Sequence, residues 1–257
     1  MEKTISARTL ESGVREAALK LLYANELQNA LLLKCLVQNR AADIKVFGNS
    51  VSFLDRGSGH YFFCSEEIDE FEALCGPVKP EVFFLSSDTI LQDLKRLHPQ
   101  LEIHSYAQML YTGDGDFDMK EFDWIEFRPM TREDLPFVVA TQDSDEFDEA
   151  YFAYRIANGP AICAVEKETG QVLGYFMQHN DGECGPTYVS EKCRNTGMGT
   201  ELLKRITKAA LDAAPWVIGL VRPENTPAQA IGFKIGYQRC LKEVLWCYDT
   251  TIERRKK

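Results

Sequence analysis

The stretch CRNTGMGTELLKRI, residues 193–206, sets two glycines, Gly197 and Gly199, at the head of a segment whose apolar residues recur at helical spacing. Arg194 stands three residues before the first glycine. Glycine costs backbone entropy, so its use where a helix begins implies an unusual backbone conformation or a close approach by something else, most often a phosphate. The first N–H groups of a helix have no partner within it, and the macrodipole adds partial positive charge there. Arg194, Asn195, Thr196, Gly197, Met198, Gly199 and Thr200 therefore form a candidate anion site suited to a pyrophosphate. A plain tight turn feeding a helix is the alternative. Two familiar phosphate loops do not fit. A dinucleotide-binding turn needs a small residue where Leu202 stands, and a P-loop needs Lys-Ser/Thr where Thr200-Glu201 follows Gly199.

A second signal follows one strand later, in RPENTPAQAIGFKIGY, residues 222–237. Thr226 and Pro227 read as a helix cap and first helical residue. That leaves Asn225 at the mouth of the strand WVIGLV, its amide free for a neighbouring segment or a ligand; support of the turn is the plainer alternative.

Working outward, the second half reads β, α, α, β, β, β, α, β, α, β, β, from WIEFRP through a capped helix, EAYFAYRIAN, PAICAVEKETGQVLGYFMQ, GPTYVS, a helix from 198 to about 213, and a closing strand pair in YQRCLKEVLWCYD. The first half opens with helical spacing over 11–40, as one long helix or two short ones. IKVFG, VSFLD and HYFFC follow as short strands, then a helix in EEIDEFEAL, the strand EVFFLSS, a helix capped by Ser87 or Asp88, and the strand LEIHSYAQMLY. DRGSGH has two glycines between strand-like runs and reads as a hairpin turn. Residues 113–123 are acidic and glycine-bearing and read as a linker between domains at 1–112 and 124–257. Asp114, Asp116 and Asp118 mimic the start of a calcium loop, but its sixth and twelfth positions fall on Met119 and Ile125 rather than glycine and glutamate.

The net charge of −10 argues against broad nucleic-acid binding and leaves room for a cationic partner. No apolar run approaches the ~20 residues of a membrane helix, and the N-terminus lacks a signal peptide's apolar core. The eight cysteines are scattered without metal-site spacing, as expected of buried thiols in a reducing cytoplasm.

The two glycine-turn and asparagine motifs, in this order, resemble those of the GNAT superfamily of acyl-CoA-dependent N-acetyltransferases. The matching residues are Val189, then Arg194-x-x-Gly197-x-Gly199, then Asn225, Ala228, Lys234 and the pair Gly236-Tyr237. The resemblance covers residues 124–250 and implies an α/β fold with a mixed sheet. The layout of the first half is compatible with a smaller, degenerate copy, by analogy with two-domain relatives such as glycine N-acyltransferases. That half is expected to wall the acceptor site or mediate a homodimer.

The resemblance further implies acetyl-CoA as co-substrate, no metal, and a small-molecule or peptide amine as acceptor. The amides of residues 194–200 would hold the pyrophosphate, Tyr188 and Val189 would line the pantetheine arm, and Asn225 and Ala228 would reach the same arm. The amine would attack the thioester directly, with the eight cysteines needing no role. Glu183 is the candidate general base, ahead of Glu191. The acidic run Asp143, Asp145, Glu146, Asp148 and Glu149 would face a basic acceptor. The departure is at Gly232, where the family usually places a tyrosine as general acid. Tyr188 and Tyr237 are candidate substitutes. The competing function is a noncatalytic CoA-binding or interaction module.

Overall fold

The computed structural model describes residues 2–77, 80–142, 147–212 and 215–252. The chain divides into two compact units that do not follow chain order: one holds the chain up to Gln108 plus the segment beginning at Arg239, the other Met109–Gln238.

In the first unit, α1 (Glu2–Tyr23) and α2 (Ala30–Val37) precede β1 (Ala41–Phe47), β2 (Ser50–Asp55) and β3 (Tyr61–Cys64). Then come α3 (Ile68–Cys75), β4 (Val82–Leu85), α4 (Leu91–Leu97) and β5 (Leu101–Tyr111), whose last three residues count with the second unit. The helical spacing of 11–40 thus resolves into two helices. The helix cap expected at Ser87 or Asp88 lies too early: α4 starts at Leu91 with Ile90 at its N-cap, and the Ser87 hydroxyl instead accepts the Thr89 N–H. DRGSGH is the hairpin turn expected, joining antiparallel β2 and β3. The Asp55 carboxylate closes it by accepting the Ser58 N–H and hydroxyl at 2.8 and 2.9 Å.

The second unit runs β6 (Ile125–Pro129), α5 (Leu135–Thr141), α6 (Glu149–Asn158), β7 (Ala161–Glu166), β8 (Val172–Gln178), β9 (Cys184–Val189), α7 (Met198–Leu211), β10 (Val217–Val221), α8 (Thr226–Lys234) and β11 (Gln238–Arg239). β6 through β9 form an antiparallel sheet in chain order. Its core has two faces. Val138, Phe152, Cys163, Tyr175 and Met177 pack under α5 and α6, while Ala164, Leu173, Met198 and Leu202 pack under α7. α7 buries Leu202, Leu203, Ile206 and Ala210, one stripe at the three- and four-residue spacing of a helix face.

The closing strands do not pair with each other as expected. β12 (Val244–Asp249) lies in the first unit's sheet between β4 and β5, antiparallel to both, whereas β11 pairs with β5.

The acidic segment 113–123 is held against α7. Glu201, 4% exposed, sits in the first turn of α7 and binds Lys204 at 2.7 Å, Arg205 at 3.0 Å and the Lys120 N–H at 2.9 Å. Lys204 also donates to the Asp118 carbonyl, and the Arg205 guanidinium lies 3.9 Å above the Phe127 ring. Glu201→Ala would leave Lys204 without its carboxylate and Arg205 with Glu121 as its remaining carboxylate partner. It is expected to lower the unfolding free energy by about 3 kcal/mol, read as a drop in the urea midpoint at unchanged m-value.

Candidate functional site

β9 and β10 touch through one isolated parallel bridge, Glu183 to Ile218, and then separate. β9 stays with β8, while β10 belongs to another ladder. Local chemistry drives the separation. Pro186 in β9 has no N–H to donate, and the β8–β9 register gains an extra residue between the pairs Gln178–Cys184 and Phe176–Thr187. A gap therefore opens between two neighbouring strands beyond Glu183.

The glycine turn stands at the far end of β9. Ser190 N–H bonds the Leu173 carbonyl at 2.8 Å, a short 3-10 turn covers Glu191–Cys193, and the Thr196 hydroxyl donates to the Cys193 carbonyl at 2.7 Å. Asn195 (φ +63°) and Gly197 (φ +94°) are both left-handed. The first intrahelical bond of α7 runs from the Glu201 N–H to the Gly197 carbonyl, so the amides of Gly199 and Thr200 precede the helical ladder.

The two glycines have different causes. Gly197 is required by its φ, and a Cβ there would meet nothing within 4 Å. Gly199 has no such φ. A Cβ on it would make only ordinary contacts with Val189 (3.6 Å) and Ile231 (3.7 Å), so packing does not demand a glycine. Without a side chain, its backbone can be approached closely by another group. Arg194 is exposed, with Glu191 at 3.5 Å. Met198 is fully buried in the core below, so what it offers the turn is backbone.

Asn225, not Thr226, caps α8: its side-chain oxygen accepts the Ala228 N–H at 3.2 Å. The amide expected to be free is therefore engaged at its oxygen, and that bond takes up the backbone N–H of Ala228. Gly232 is packed, a Cβ there lying 3.1 Å from Met109 and 3.4 Å from Tyr237. Tyr237 drops out as a proton donor. It is buried, its hydroxyl is 2.7 Å from the Thr207 hydroxyl, and burial raises its pKa well above 10. The ring of Tyr188 points to the α5–α6 face, 5.7 Å from Phe137 and stacked on Tyr175.

Glu183, at the root of the gap, has company that local sequence patterning missed. His179 Nε2 lies 3.9 Å from its carboxylate, and His179 Nδ1 is 2.7 Å from the Tyr151 hydroxyl. Burial, aided by the Arg155 charge, lowers the His179 pKa to about 3. Unfolded histidine protonates below about pH 6.5, so between these values the unfolded chain binds the extra proton and stability falls with falling pH. The His179 share is about 1.4 kcal/mol per pH unit. Urea unfolding at pH 7 and pH 4.5 is expected to show a loss about 2–3 kcal/mol smaller in His179→Gln than in the wild type. Of the acidic run, Asp148 caps α6 through the Tyr151 N–H and Glu149 is the first residue of that helix; Asp143, Asp145 and Glu146 lie outside the described residues.

Residues 162–247 match the family model of FR47-like proteins. No curated protein matches the chain. Among solved structures, a Drosophila protein aligns over 94% of this chain and 97% of its own, at TM-score 0.72 and 14% identity. A GCN5-related N-acetyltransferase from Kribbella flavida aligns over 87% and 95% at TM-score 0.55 and 13% identity. A GCN5-related N-acetyltransferase-like protein from Streptococcus suis aligns over 90% and 99% at TM-score 0.51 and 13% identity. The fold is shared with these GCN5-related N-acetyltransferases.

The two units repeat one order of elements. The order α1 α2 β1 β2 β3 α3 β4 α4 in the first unit repeats α5 α6 β7 β8 β9 α7 β10 α8 in the second. The gap is closed in the first copy, where β3 and β4 pair over three parallel positions, Tyr61–Phe83, Phe62–Phe84 and Phe63–Leu85. The turn after β3 carries Glu66 and Glu67 in place of glycines, with Asp69 and Glu70 in the first turn of α3. Those carboxylates would repel a phosphate.

Proposed function

We propose that the chain is an N-acetyltransferase that moves an acetyl group from acetyl-CoA to a primary amine of a small molecule or peptide, by direct attack in a ternary complex. The observation that carries this reading is the gap between β9 and β10, with the amides of Gly199 and Thr200 at its mouth. The residues fit a pyrophosphate: two helix-start amides outside the ladder, and a glycine whose Cβ position the packing leaves available. No group of metal-ligating side chains occurs among the described residues, and the reaction proposed needs none.

When bound, acetyl-CoA supplies a thioester carbon open to attack. The backbone of residues 194–200 holds the diphosphate, and the β9 edge at Tyr188 and Val189 lines the arm that carries the thioester. Asn225 can still offer its side-chain N–H groups there. Glu183 takes the proton of the attacking amine, directly or through one water. The rate gain comes from positioning and from charge stabilisation at the carbonyl oxygen. With Gly232 lacking a donor, Tyr237 buried and the Tyr188 ring turned against Phe137 and Tyr175, the sulfur leaves as thiolate, which its pKa of about 8.5 permits near neutral pH. The acceptor is a cationic amine rather than a nucleic acid or a membrane surface, in line with the net charge of −10. Among the described residues no helix is long and apolar enough to cross a membrane. The cytoplasm is the compartment proposed for the reaction, on the scattered cysteines of the sequence.

The absence of a tyrosine at 232 favours one other reading, a CoA-binding module without turnover. Thiol release from acetyl-CoA across a panel of primary amines separates the two. The enzyme releases CoA with at least one amine and yields its N-acetyl product by mass; the module binds acetyl-CoA and releases none above background.

A further inference from the structure

We propose that His179 is the positioning residue for the Glu183 base, fixed by Tyr151 in the tautomer that presents an N–H to the carboxylate. The proposal rests on the reading of Glu183 as base. Asn180 N–H lies 3.4 Å from the Tyr151 hydroxyl oxygen and can only donate to it. The hydroxyl's own hydrogen is then available to His179 Nδ1 at 2.7 Å. A neutral imidazole that accepts at Nδ1 carries its hydrogen on Nε2. Nε2 is the ring nitrogen facing Glu183 Oε1, 3.9 Å away, a separation that a small side-chain rotation or one water closes.

The ring is clamped. Phe147 and Tyr151 lie against it with centroids at 5.1 and 6.0 Å, and Gly185 leaves the space it occupies, since a Cβ there would sit 3.2 Å from the imidazole. The charged and titratable groups around it are Tyr151 and Arg155 on α6, Asp181 in the turn, and Glu183 itself. Arg155, bonded to the Gln178 carbonyl at 2.6 Å, opposes protonation of the imidazole. His179 therefore takes no proton in the reaction. The carboxylate of Glu183 accepts the ammonium proton, the freed nitrogen lone pair attacks the thioester carbon, and the C–S bonding pair leaves on sulfur. Once that rotation or water closes the separation, the Nε2–H keeps the carboxylate aimed at the amine.

The test uses the full chain with ¹⁵N-labelled histidine and long-range ¹H–¹⁵N correlation between pH 8 and 5. Of the four histidines, His179 is assigned by its loss in His179→Gln. The expected spectrum shows a neutral Nε2–H tautomer throughout, an Nε2 signal that moves in Glu183→Gln, and a tautomer mixture in Tyr151→Phe. An Nδ1–H tautomer, or an Nε2 signal indifferent to Glu183→Gln, overturns the proposal. Melting by circular dichroism checks that each variant folds. In the amine assay, His179→Ala is expected to lower kcat by about 10- to 100-fold at unchanged KM for acetyl-CoA and to move the acid limb of the rate profile up by about one pH unit. His179→Gln, which keeps a donor at the Nε2 position, restores most of the rate. Equal loss in both variants overturns the positioning role. A wild type that acetylates no amine refutes the proposed activity, while the spectra still decide the orientation of His179.

Discussion

Glu183→Gln is expected to lower kcat/KM for acetyl transfer by about 10²- to 10⁴-fold, the usual span for removing a general base, and to leave acetyl-CoA affinity unchanged. Glutamine keeps the shape and the backbone of Glu183, whose N–H bonds Asp181 and whose carbonyl accepts the His179 N–H. The hairpin and the gap therefore survive, and only the proton acceptor is lost. A rate measured with excess amine at pH 7 and again at pH 9 checks the assignment. The deficit should shrink at the higher pH, where more of the amine is already deprotonated. An unchanged rate at pH 7 would remove Glu183 from the mechanism.

Gly197→Glu is expected to weaken CoA and acetyl-CoA binding by about 100-fold or more, because it sets a carboxylate at the helix start that would otherwise attract the diphosphate. The substitution also imposes a side chain at φ +94°, a strain of about 1–2 kcal/mol. Gly197→Ala shares that strain without the charge and meets no atom within 4 Å. Alanine should therefore keep most of the affinity. Equal loss in both variants would assign the effect to the backbone and not to a phosphate.

Much of the second half was legible because its signals are local. The Arg194-x-x-Gly197-x-Gly199 turn, the apolar runs of β7 and β8 around their turn and the stripe of α7 each lie within about twenty residues. What the sequence reading missed depends on distance or on choice between equals. Asn225 and Thr226 are both good helix caps and Pro227 suits either frame, so only the structure distinguishes them. Tyr151 and His179 are 28 residues apart and meet because α6 packs under the β8–β9 hairpin. A histidine four residues before the candidate base was the one sequence signal available. The place of β12 was not legible either: LWCYD reads as a strand, but nothing in its pattern names β4 and β5 as its neighbours. The closed ladder of the first copy could have been anticipated from Glu66 and Glu67 standing where the second copy has its glycine turn.

Calorimetric titration of acetyl-CoA into the wild-type chain tests the central claim most directly. The account predicts one site per chain, in the open gap of the second unit and not in the paired strands of the first. It also predicts the same stoichiometry for CoA, because the diphosphate anchors both. No binding by a folded chain would contradict it by making the glycine turn a purely structural feature. Two sites per chain would contradict the closure of the first copy.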